Sequence, residues 1–137
     1  MNAERLALLY ARFALGAAFL SAVAARLGLW DDRPHPFQSF IAYTGEVNLF
    51  LPPQLYPTLA VAATIAETTL GIALIFGIRP RWTTIASAVL LALFGIAMSI
   101  SGGIKSALDA SVFSASACAA VMSFTLRLQP KAPRPVC

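Results

Sequence analysis

A chain of 137 residues that is 58% hydrophobic and only 12% charged, with a mean hydropathy of +0.75, cannot cover itself with a water-facing surface. Its net charge of +4 does not mark a nucleic-acid partner, because the ten Lys and Arg residues are scattered or flank apolar runs. Lipid takes the place of the missing polar surface, and the expected fold is all-α: an integral membrane four-helix bundle with a short interfacial helix in the first outer loop.

The first apolar run covers about 6–30 and opens behind Arg5. Ala22, Val23 and Ala24 resemble a signal-peptidase site, but the run continues through Trp30, which favours a retained span over a cleaved leader. A connection over 31–54 follows, bounded by Pro34 and Pro36 at one end and Pro52 and Pro53 at the other. Within it Phe37, Phe40, Ile41 and Thr44 keep helical spacing, predicting a short amphipathic helix over 37–43 that Gly45 ends. Such an apolar loop is expected on the interface, either shielding helix ends or folding over a binding cavity. His35, between two prolines, reads as a turn residue.

The second run covers 55–78, the third 82–100 and the fourth 107–126, each near the ~20 residues that cross a hydrocarbon core. The fourth is diluted by Ser111, Ser114, Ser116, Ser123 and Thr125, whose hydroxyls can bond carbonyls or neighbouring helices. Residues 1–128 then form the bundle and 129–137 a tail. Arg79 and Arg81 lie between the second and third spans, and Arg127, Lys131 and Arg134 follow the fourth, with no acid in either segment. The first connection instead carries Asp31, Asp32 and Glu46 against Arg33. By the positive-inside rule both termini are expected to be cytoplasmic, in a bacterial inner membrane.

Two ionisable residues inside spans draw the eye. Glu67 stands at the middle of the second run and Arg12 inside the first. Intramembrane charges normally face the bundle interior and pair, so the expected partners are Arg12 and Glu67. Arg26 lies on nearly the same face as Arg12, near the outer interface, and either snorkels outward or approaches Glu67 from above. Asp109 beside Ser111 either caps the fourth span or lines the outer mouth. A four-residue spacing recurs in the second span (Ala63, Glu67, Gly71) and, with small residues throughout, in the fourth (Ala107, Ser111, Ala115, Ala119, Ser123), predicting close contact between those two helices or a dimer face. Cys118 and Cys137 form no C-x-x-C pair, no metal-ligand set is present, and Cys118 is expected to pack inside the bundle.

Arg12, Leu15, Gly16 and Phe19 form an R-x-x-L-G-x-x-F pattern, and Ala66, Glu67, Gly71, Leu74, Gly77 and Arg81 an A-E-x-x-x-G-x-x-L-x-x-G-x-x-x-R pattern. Through these, and through the 108–116 stretch, the chain resembles the DoxX-like family of small four-span bacterial membrane proteins. That resemblance implies a link to redox and sulfur metabolism, with relatives that include a subunit type of thiosulfate:quinone oxidoreductase.

The functional expectation is a non-catalytic membrane subunit, with no catalytic residues and no intrinsic cofactor, that binds a quinone or other lipid-soluble molecule. Its expected partners are the bilayer and either a redox enzyme or further copies of itself. The candidate ligand-binding or proton-responsive residues are Glu67, Arg12, Arg26, Asp109 and Ser111. The alternative is a small proton-coupled transporter or exporter with Glu67 as its titrating carboxylate. A self-contained enzyme is the weakest reading, since the chain has one histidine, no cysteine pair and no Gly-rich nucleotide loop.

Overall fold

The computed structural model describes residues 3–30 and 33–128. Among these the chain is all-helical, with no strands. The four principal helices are α1 (Ala3–Arg26), α3 (Tyr56–Phe76), α4 (Pro80–Gly102) and α6 (Val112–Leu128); α2 (Pro36–Glu46) and α5 (Ile104–Asp109) are connecting helices. A single 3-10 turn, Pro53–Leu55, leads into α3. The predicted 129–137 tail, with Lys131, Arg134 and Cys137, lies outside the described residues, as do Asp31 and Asp32.

Three helices are long and apolar enough to cross a membrane: Ala3–Arg26, the stretch Pro53–Phe76 and Pro80–Gly102. The fourth, α6, is apolar but shorter, at 17 residues. The predicted span over 107–126 is broken. Ser111 adopts φ 54°, which stops α5 at Asp109 and restarts the helix at Val112. The first span also ends sooner than expected, at Arg26. Gly28 takes φ 73°, Leu29 N–H donates to the Ala24 carbonyl and Gly28 N–H to that of Ala25, a Schellman closure. Gly77 (φ 69°) closes α3 in the same way, with Ile78 N–H on Ala73 and Gly77 N–H on Leu74.

The bundle is built from two helix pairs, α1 with α3 and α4 with α6. The small-residue rows therefore serve different partners from those predicted. In the first pair the antiparallel helices meet at Gly16 and Gly71. A Cβ on Gly16 would stand 3.1 Å from the Gly71 carbonyl oxygen, and one on Gly71 3.2 Å from the Gly16 carbonyl oxygen. In the second pair Gly95 of α4 receives the Phe113 ring, 2.7 Å from where a Cβ would lie, and Ser116 Oγ donates to the Ala88 carbonyl at 2.8 Å. The latter bond bridges two helices, so Ser116→Ala should loosen the pair by about 0.6 kcal/mol. A fall in the unfolding midpoint in detergent larger than that of Ser114→Ala, which has no such bridge, would show it.

Leu15, Phe19, Leu74, Leu91, Ala119 and Met122 form the apolar core between the pairs. Cys118 does not join it; it is exposed on the outer face of α6. That correction follows from helical phase, since Ala119 and Met122 take the inward positions.

The connection between α1 and α3 lies against the bundle. Helix α2 begins at His35, a left-handed turn residue with φ 54°, and runs past the predicted stop to Glu46. Gly45 is buried inside it, because a Cβ there would meet the Tyr56 ring at 2.7 Å; the glycine is a packing notch rather than a terminator. Tyr56 Oη donates to the Leu51 carbonyl, and Leu49 N–H donates to Ser101 Oγ at the end of α4. These bonds fasten the loop across one end of the bundle.

Candidate functional site: a roofed cavity with a buried ion pair

Beneath α2 the two helix pairs part to leave a cavity of about 660 Å3. Its walls come from α1, α3, α4 and the start of α6, and Phe40, Tyr43 and Thr44 of α2 reach it from the loop. The space exists because the lining is rich in alanine: Ala18 and Ala22 of α1, Ala62, Ala63 and Ala66 of α3, and Ala97 of α4. Ala18 of α1, Tyr43 of α2, Ala62 of α3 and Leu93 of α4 line the cavity and are exposed, so it is not sealed off.

The polar end of this apolar space is Glu67. Its side chain is 3% exposed, and its partner is Arg26, at 13%. Arg26 Nη2 donates to Oε1 at 3.0 Å and stands 2.9 Å from Oε2. One nitrogen serves both oxygens, and only the bond to Oε1 is properly directed. Oε2 is therefore in ionic contact while remaining without a hydrogen bond among the described residues. Arg26 Nη1 lies 3.5 Å from Thr64 Oγ1, and the guanidinium carbon sits 3.7 Å from the centre of the Phe40 ring. Stacking on Phe40 ties the ion pair to α2, a cation–π contact with the loop helix that caps the cavity.

The expected Arg12–Glu67 pair does not form, and the reason is register. With Gly16 opposite Gly71, the residue of α1 level with Glu67 is Leu20. Arg12 then lies roughly 12 Å away along the axis, and Arg26 roughly 9 Å on the other side, at ~1.5 Å per residue. Arg12 instead lays its guanidinium against Gly77, with Nη1 2.8 Å from the position of a Cβ there. This is the carboxyl end of α3, where carbonyls carry partial negative charge and favour a cation. Arg12 Nε is buried without a partner, and its guanidinium packs 5.6 Å from the Phe13 ring centre.

Asp109 and Ser111 also stand apart from Glu67. Both are exposed and neither lines the cavity, although their neighbours Ala110 and Val112 do. Asp109 pairs with Lys105 one turn back in α5, and the Ser111 carbonyl accepts the Ala115 N–H at the start of α6. Of the five predicted site residues, the structure joins Glu67 and Arg26 and leaves Arg12, Asp109 and Ser111 elsewhere. Phe40 and Thr64 are the contributors that sequence reading missed. Thr64 lies three residues before Glu67 on the same helix face, a signal present in the sequence. No group of three or more His, Cys, Asp or Glu that could hold a metal occurs among the described residues.

A family model described as methylamine utilisation protein MauE matches residues 4–111. The chain belongs to the MauE family. The match runs from the start of α1 to the break between α5 and α6, so it takes in both halves of the ion pair, the α2 roof and every wall of the cavity except the start of α6. This MauE membership replaces the DoxX-like resemblance read from the span motifs and the 108–116 stretch. No curated protein and no solved structure matches the chain. As a MauE-family protein with several apolar helices, it is a multi-pass membrane protein.

Proposed function

We propose that this MauE-family chain is a non-catalytic integral membrane protein that holds one lipid-soluble molecule, of the quinone or lipid class, in the cavity beneath α2. The observation that carries this reading is the cavity itself, at about 660 Å3, lined mainly by alanine and larger apolar side chains, with one ion pair at its end. Ligand sites of roughly 300–1,000 Å3 with apolar walls and a few convergent polar groups are the usual form for small-molecule binding. The exposed part of the lining leaves a bilayer-dissolved molecule a way in. The link to sulfur redox systems rested on the DoxX resemblance and falls with it. The family description instead puts such proteins in methylamine utilisation, and we carry over to this chain the role of a membrane component in a system of that kind. Arg79 and Arg81 at the α3–α4 connection support placing both termini on the cytoplasmic side of an inner membrane.

Native mass spectrometry of the full chain released from mild detergent tests the reading. The wild type is expected to carry an added small-molecule mass. Ala63→Trp combined with Ala97→Trp, which fills the cavity from α3 and α4, should abolish that mass while the protein stays folded and monodisperse. A wild type without an occupant, or an occupant that survives filling, overturns the reading.

A further inference from the structure

The chemistry at the cavity's polar end narrows what the occupant can be. Glu67 presents one hydrogen-bonded oxygen and one that is not, in a side chain 97% buried and lining the cavity. Polar side chains of this end of the bundle direct hydrogen bonds elsewhere. Arg26 Nη2 is on Oε1, Thr64 Oγ1 donates to the Ala60 carbonyl, Thr44 Oγ1 to the Phe40 carbonyl and Asn48 Nδ2 to the Thr44 carbonyl. Among the described residues no side chain donates a hydrogen bond to Oε2. A buried acceptor without a donor is unfavourable, and hydrogen bonds to a charged acceptor are the strong ones.

Charge sets a second condition. Glu67 is already balanced by Arg26, with Nη2 in contact with both carboxylate oxygens. A cationic headgroup would bring a second positive charge into apolar space beside the guanidinium, and an anionic one would face the carboxylate. Resting on the reading that the cavity holds a lipid-soluble molecule, we propose that its occupant is a neutral alcohol or phenol with an apolar body, whose O–H donates to Glu67 Oε2. A simple alkylammonium, the charge type of methylamine in water, is not what this site is built for.

The experiment compares 4-decylphenol, its methyl ether 4-decylanisole and decylammonium, titrated against the full chain in the same detergent by native mass spectrometry. The phenol is expected to bind about tenfold or more tightly than the ether, the range for a bond to a charged acceptor. Glu67→Gln should reduce that preference to about twofold; if this variant fails to fold, Arg26→Leu combined with Glu67→Leu, which removes both charges, should abolish it. Equal affinity for phenol and ether, an unchanged preference in the variants, tightest binding of decylammonium, or no binding of any probe overturns the inference. The cavity reading fails by a different result: an unchanged natural occupant in the filled Ala63→Trp, Ala97→Trp variant, or none in the wild type.

Discussion

Arg26→Leu is expected to destabilise the protein by about 3–5 kcal/mol, because it leaves the Glu67 carboxylate buried without its cation. Among the described residues only Arg26 is paired with Glu67, and Arg12 is held against Gly77 roughly 12 Å further down the axis. Arg26→Leu also strips the cation from the Phe40 ring, so α2 should loosen with it. Adding Glu67→Leu should restore most of the lost stability, as replacing a whole buried pair by apolar groups often does. Arg12→Leu should be much milder, because Arg12 Nε already lacks a partner. Thermal unfolding in a single detergent measures all four proteins. A larger loss for Arg12→Leu than for Arg26→Leu, or a double variant as weak as Arg26→Leu alone, would refute the pairing.

The second large effect is expected at the α1–α3 crossing. Gly16→Val and Gly71→Val each place a branched side chain where a Cβ alone lies 3.1–3.2 Å from the opposing carbonyl oxygen. Backbone cannot step aside as a flexible side chain can, so each should cost about 1–3 kcal/mol through overpacking. Combined, the two should not add, since both push apart the same contact. Gly102→Ala is the control: its Cβ would meet only Ser106 at 3.4 Å, an ordinary contact, and the change should stay within about 0.5 kcal/mol. Unfolding midpoints that rank Gly102→Ala with the crossing variants would contradict the close approach.

The helices were legible because long apolar runs leave a membrane chain few alternatives. Helix α2 was legible from Phe37, Phe40, Ile41 and Thr44, although Gly45 misled because a buried notch for Tyr56 and a helix stop both select glycine. The partner of Glu67 was not legible from the lengths of the runs. Aligning run ends places Arg12 close to Glu67, whereas the Gly16–Gly71 contact shifts the register enough to bring Arg26 into reach. A cavity under the first loop was one of two readings of that loop, but its walls were not legible, for a related reason. Alanines such as Ala18, Ala63 and Ala97 fit tight packing and empty space equally well, and only their mutual placement decides. The break at Ser111 was half visible. Asp109 read as a cap of the fourth span, but the sequence did not tell that a helix ends there and restarts after Ser111.

That break has a consequence for the surrounding bilayer. With 17 residues, α6 reaches about 25 Å, while the 23 residues of α4 reach about 34 Å. Over the described residues α6 alone therefore falls short of a hydrocarbon core of about 30 Å, whereas α4 does not. Each ångström of such mismatch costs a fraction of a kcal/mol. The protein should thus draw thinner lipid around the α6 side than around α4, and lengthening the acyl chains in reconstituted bilayers should sharpen that asymmetry.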